Sequence, residues 1–239
     1  MLILAADTSA APCCAAVYDT EKQLVAAETV INNKLTHSVT LMPVIRDLLK
    51  NADIKPDDID LFAVSVGPGS FTGLRIGISA VKGMAYAAKK PCAAVTTSEG
   101  MAYNFIGEDA VICTAIDARC NQVYNALFRI SGENVTRLCD ERCIKTDELA
   151  KELSGIGGDI IITGDAAQSV FDEAQALGIK NTKLAPPAER YQTGRGVCLA
   201  AQNAEQIPPE CLMPLYLKLP QAQRELMEKQ KNTENKVKE

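Results

Sequence analysis

The chain has 239 residues, 47% of them apolar and 23% charged, with a formal net charge of -5. That balance is ordinary for a globular protein and excludes nucleic-acid binding by bulk charge, so an RNA role needs a local basic patch or a basic partner. No apolar stretch approaches the roughly 20 residues of a membrane span, and MLILAADTS lacks the basic n-region of a signal peptide, so the expected setting is the cytoplasm.

Residues 1–6 form an apolar run that ends at Asp7-Thr8-Ser9. After a turn, CCAAVYD (13–19) and LVAAETVI (24–31) read as two further strands, and short connections make the three an antiparallel meander. Residues 37–51 read helical, 59–67 as a buried strand, 72–89 as a second helix and 91–97 as the lead into another strand. Three strands, helix, strand, helix, strand is the order of a ribonuclease-H-like lobe.

The pattern then restarts. AVICTAIDARCNQVYNALF (110–128) lies under MLILAADTSAAPCCAAVY (1–18) with Asp117 beneath Asp7: a strand, an aspartate at its end, a polar turn and a second strand. This internal repeat predicts a second, related lobe beginning near residue 100. A helix at 146–153, a strand at 160–164, a helix at 166–177 and a Pro-rich return complete a thin lobe. The expected organisation is an N-terminal lobe (1–100), a reduced C-terminal lobe (101–218) and a charged tail (219–239), helical or disordered.

The segment VGPGSFTGLRIG (66–77) has the glycine content of a phosphate cradle but neither the lysine of a P-loop nor a G-x-S-x-G nucleophile elbow. Gly-Pro-Gly is expected to reverse the chain, and Ser70 or Thr72 to cap the following helix. An anion held by the helix N-terminus stays as a second reading. Along that helix Leu74, Ile78, Val81, Ala85 and Ala88 form a core stripe. Beside it Gly73, Gly77, Ala80, Met84 and Ala87 form a stripe of mostly small residues, suited to close approach by another backbone, either a partner subunit or a neighbour in the same chain. In the earlier helix Leu41, Ile45 and Leu48 face inward, while Val39, Met42 and Leu49, with Arg46, widen the arc. Two helices too apolar for one-sided burial suggest a partner surface.

His37 is the only histidine, and no nucleophile or second ligand is placed beside it; a capping or surface role is expected. The nine cysteines include the adjacent pair Cys13-Cys14 but no C-x-x-C, and Cys139 and Cys143 lack a second pair. They read as small hydrophobes in a reducing compartment, with no metal site. Asp7, Thr8, Ser9 and Asp117 are the remaining site candidates. An acid ending each lobe's first strand is how actin-like ATPases and sugar kinases place Mg²⁺ and phosphate, yet the turns here, TSAAP and ARCNQ, contain no glycine whose amide could reach a phosphate. The site reads as vestigial, and a small ATPase or kinase acting through Asp7 and Asp117 is the alternative.

ILAADTSAAPCCAAVYD, THSVTLMPVIRDLL, DLFAVSVGPGSFTGLRIGISAVKGMAYA, AIDARCNQVYNALF and PLYLK resemble the bacterial TsaB (YeaZ) family of tRNA threonylcarbamoyladenosine biosynthesis. The resemblance implies an actin-like fold of two ribonuclease-H-like lobes and a non-catalytic accessory subunit. It also implies a TsaD-like catalytic paralogue and a TsaE-like ATPase as partners, self-pairing when alone, and contact with tRNA through the complex. The partner family's helix carries an H-x-x-x-H metal pair where this chain has His37 and Leu41, so metal and ATP are expected to belong to the partners, and no cofactor to this chain. The older label of glycoprotease finds no support in these residues.

Overall fold

A computed structural model describes residues 1–33 and 35–218; the tail expected at 219–239 lies outside the described residues. The first lobe runs β1 (Leu2–Asp7), β2 (Cys13–Asp19), β3 (Leu24–Ile31), α1 (His37–Asn51), β4 (Leu61–Gly67), α2 (Phe71–Ala88) and β5 (Cys92–Thr96). α3 (Thr97–Ala102) crosses to the second lobe, which runs β6 (Asp109–Asp117), β7 (Gln122–Ser131), β8 (Asn134–Lys145), α4 (Thr146–Leu153), β9 (Ile160–Thr163), α5 (Ala167–Ala176) and β10 (Thr182–Leu184). The chain closes with α6 (Gly194–Ala201) and β11 (Gln206–Ile207).

The sheets have the orders β11-β5-β4-β1-β2-β3 and β10-β9-β6-β7-β8. In each, the first strand pairs antiparallel with the second and parallel with the fourth. The repeat read from two aspartates is therefore a repeat of topology: Asp7 ends β1 opposite Cys14, and Asp117 ends β6 opposite Val123. The fold is α/β, actin-like, with mixed sheets flanked by helices. Reduction of the second lobe lies in its helices: α4 and α5 have 8 and 10 residues, against 15 and 18 for α1 and α2.

Both lobes bury both faces of their sheets. Leu4, Ala6 and Val64 meet Leu41, Ile45, Leu48, Leu74, Ile78 and Val81 on one side of the first sheet. Ile3, Ala5, Ala63 and Val95 meet Val197 and Cys198 of α6 on the other. This second contact revises the expected boundary. α6 and β11, placed by number in the 101–218 lobe, pack on the first sheet, because its second face has no cover until the chain returns to supply one. Five cysteines (Cys13, Cys14, Cys92, Cys113, Cys198) are buried among these apolar groups.

β8 is absent from the sequence reading. Its inward positions include Arg137 and Glu141, which pair at 2.6 Å, and Arg137 also reaches Glu99 of α3 at 3.3 Å. A strand whose inner face carries an ion pair hides the period-2 apolar signal on which strand assignment rests.

The small stripe of α2 is also corrected. Gly73 and Gly77 are buried and do not face a free surface. A Cβ on Gly73 would run into the Thr8 carbonyl, and one on Gly77 into the Thr8 hydroxyl. The close neighbour is the β1–β2 turn of the same chain. Leu49, expected at a partner surface, is likewise buried, in the first core. Gly73→Ala and Gly77→Ala should therefore each lower stability by about 1–3 kcal/mol through overpacking. Gly83→Ala, on the same helix with open space beside it, should be neutral or stabilising by up to about 1 kcal/mol. Urea unfolding of the three variants measures the contrast.

Candidate functional site at the junction of the lobes

The Asp7-Thr8-Ser9 turn closes on itself and on α2. Asp7 is 0% exposed. One carboxylate oxygen accepts the Ser9 amide at 2.8 Å and the Ser9 hydroxyl at 2.6 Å, and the other accepts the Ser65 hydroxyl. Burial raises the Asp7 carboxyl above its ordinary 3.8, against the lowering pull of the bonds from Ser65 and Ser9. The Thr8 hydroxyl donates to the Gly73 carbonyl at 2.8 Å, and the Ser70 amide donates to the Ser9 carbonyl at 2.6 Å. Ser70, not the exposed Thr72, caps α2, accepting the Gly73 amide at 3.2 Å. The Ser70 and Gly73 amides at the helix start are thus already bonded within the chain.

The matching turn of the second lobe is open. Asp117 is exposed; its carboxylate accepts the Arg119 amide at 2.8 Å and lies 3.4 Å from the Arg119 guanidinium. Arg119, Cys120 and Asn121 follow with φ of 65°, 55° and 57°, three consecutive left-handed residues without a glycine. Such a conformation persists only where surrounding contacts over-determine it. Behind them Asp165 accepts the Asp117 amide at 2.8 Å, and its carboxyl is raised by burial and by the neighbouring Asp117 charge.

Between the two turns lies a cleft of about 510 Å³. Ser9, Ala10, Ala11, Gly69 and Ser70 line one wall and Asp117, Arg119, Tyr124 and Asp165 the other, while Leu215–Lys218 runs along it. The structure brings Ser9 and Asp117 to this cleft. Asp7 and Thr8 lie behind its wall, so Asp7 and Asp117, the two acids of the ATPase or kinase alternative, do not face each other across the cleft. Asp165, Tyr216 and Lys218 were not singled out from sequence. The signals for them were Thr163-Gly164-Asp165 at a strand end and PLYLK.

His37 neither caps α1 nor points to solvent. Thr36 occupies the cap position, and the half-buried His37 ring places Nε2 2.9 Å from the Ala10 carbonyl, tying α1 to the β1–β2 turn. Cys139 and Cys143 lie four residues apart along β8, about 13 Å at the rise of a strand, too far to share one ion. Among the described residues no group of three or more His, Cys, Asp or Glu side chains is clustered as a metal would need.

Of the expected partner-surface residues, Val39 and Met42 are 61% and 46% exposed, and Leu35 extends the apolar strip. Arg46 is exposed and pairs with Asp47 at 2.9 Å. Ala80 and Met84 are half-buried at the edge of the first core. No helix among the described residues is long and apolar enough to cross a membrane.

Comparisons with known proteins agree with this architecture. The family model described as "TsaD: tRNA N6-adenosine threonylcarbamoyltransferase" matches residues 25–221. The "tRNA threonylcarbamoyladenosine biosynthesis protein TsaB" of Bacillus subtilis (strain 168) is 30% identical over 97% of this chain and 100% of the relative. The protein of the same name from Escherichia coli (strain K12) is 26% identical over 91% and 95%. The solved structure "YeaZ from Pseudomonas aeruginosa" superposes with a TM-score of 0.74 at 24% identity, covering 90% of this chain and 99% of that one, and shows the same fold. Matched by that family model over most of its length and by a full-length relative at 30% identity, the chain belongs to the TsaB (YeaZ) family and falls within the sequence family described as TsaD.

Proposed function

We propose that this chain serves tRNA threonylcarbamoyladenosine biosynthesis as a non-catalytic subunit in the cytoplasm, pairing with a TsaD-like catalytic paralogue and working alongside a TsaE-like ATPase. The observation that carries the reading is the state of Asp7. The acid that would orient a magnesium ion or phosphate has both oxygens engaged by Ser9 and Ser65 and no exposed surface. These residues do not fit a magnesium nucleotide at that position. ATP and metal are on this reading the business of the partner subunits, and tRNA is met through the complex.

The partner surface we assign is the exposed strip of α1, with Val39, Met42 and Arg46, bordered by Ala80 and Met84 of α2. Burial of an apolar strip with a charged rim is how stable subunit contacts are built. In the absence of the paralogue the same strip would pair two copies about a two-fold axis.

Two outcomes test this. Met42→Asp should leave the chain folded, because the side chain is largely exposed, and weaken both self-pairing and capture of the catalytic paralogue at least about 30-fold. Sedimentation and a binding titration measure it, and an unchanged affinity would move the interface elsewhere. Asp7→Asn should leave a purified chain with the same absence of ATP turnover as the wild type; magnesium-dependent hydrolysis lost on this substitution would establish the ATPase alternative. The same variant reads the buried carboxyl. With its folded pKa raised, Asp7 binds its proton more tightly in the folded than in the unfolded state. Its contribution is therefore full below 3.8 and declines as pH rises through the folded value. Urea midpoints of wild type relative to Asp7→Asn should accordingly become less favourable to the wild type as pH rises above 3.8.

A further inference from the structure

The lobes are joined at several places, among them the segment 189–193, whose Arg190 carbonyl accepts the Gly164 amide at 2.8 Å and whose Gln192 carbonyl accepts from the Cys14 thiol at 3.2 Å. On one side α3 is packed between them: Ala102 and Phe105 sit in the second lobe's core with Ile112 and Phe128, while Arg137 of β8 reaches back to Thr96 and Glu99. On the cleft side the described link is the segment Leu215–Lys218. The Leu215 amide donates to the Val66 carbonyl at 2.7 Å, at the end of β4. Gly67, with φ of 123°, leaves the room that the Leu215 carbonyl needs beside it. Tyr216 stacks on Phe71 of α2 at 4.6 Å between centroids and accepts a hydrogen bond from Arg75 Nε at 3.0 Å. Two residues on, Lys218 Nζ donates to the Ala118 carbonyl and to Gln122 Oε1, both at 2.7 Å, and lies 5.8 Å from the Tyr124 ring centre.

We infer that Leu215–Lys218 is an interlobe lock that fixes the opening of the cleft and holds the left-handed 119–121 turn in place. Each end of the strap is anchored in a different lobe, and the two residues between Leu215 and Lys218 are too few to take up slack. The ammonium is placed where it is needed: it satisfies the carbonyl of Ala118, immediately before three residues whose backbone is strained. Both bonds of Lys218 Nζ are charge-assisted, which makes them stronger than neutral ones.

Amide hydrogen exchange on the full chain tests the lock. Lys218→Met, which keeps the aliphatic stem, should speed exchange at residues 118–122 about tenfold or more, with Ile112–Ala115 in the centre of β6 unchanged. Lys218→Arg should restore most of the protection. The decisive variant is Tyr216→Ala. The described contacts of Tyr216 are with α2 and not with the 118–122 turn, so a lock predicts faster exchange at that turn as well, transmitted along the strap. If Tyr216→Ala loosens only its own surroundings, Lys218 is a local cap on the turn and the lock is refuted. Unchanged exchange at 118–122 in Lys218→Met would refute both roles.

Discussion

Much of the molecule hangs on one close contact, the seating of the Asp7-Thr8-Ser9 turn against the glycine-rich start of α2. Thr8 fills the space that Gly73 and Gly77 leave open and bonds to the Gly73 carbonyl. Ser9 bonds to Ser70 through the backbone, and Asp7 beneath them is closed off by Ser9 and Ser65. Because no side chain larger than glycine fits at those two helix positions, α2 lies closer to the end of β1 than an ordinary helix could. This brings the cap of α2, the end of β4 and the first-lobe wall of the cleft into one rigid unit, to which His37 fastens α1 through the Ala10 carbonyl.

That contact also explains how a fold with the layout of a nucleotide cleft can lack the means to hold a nucleotide at its first turn. Amides and hydroxyls that could meet a phosphate meet each other instead. The two halves of the repeat have diverged in opposite directions: Asp7 is sealed behind the wall, whereas Asp117 stands in the cleft with Arg119 beside it. Where backbone amides are already bonded internally, an incoming anion has to compete with those bonds, and a cation approaching the buried Asp7 carboxylate would have to displace the hydroxyls of Ser9 and Ser65.

One group of apolar residues that the core does not absorb lies at the start and on the outer side of α1. Leu35, Val39 and Met42 are exposed although their helix is well packed on its other face. In the neighbouring α2 the large stripe is absorbed by the sheet and Gly73 and Gly77 by Thr8, while Ala80 and Met84 stay half-buried. The N-terminal part of α2 thus serves internal packing, although its small residues look suited to a partner.

The sequence by itself determined the order of elements through the first lobe, the duplication, and the inward faces of α1 and α2, because β1, β2 and β4 are continuous apolar runs and the two helices carry core stripes at helical spacing. It also carried the family through DTSAAP, VGPGSFTGLRIG and PLYLK. Only the tertiary structure decided what those motifs touch. Spacing along a helix says which residues share a face but not what lies opposite, so the glycines that could equally have met another subunit turned out to meet Thr8. β8 stayed hidden because an ion pair interrupts the apolar groups of its inner face, and α6 with β11 because their partner surface is a sheet formed nearly a hundred residues earlier. Contacts between segments so distant in sequence leave no local period to read; they exist only once the sheet has a face to cover.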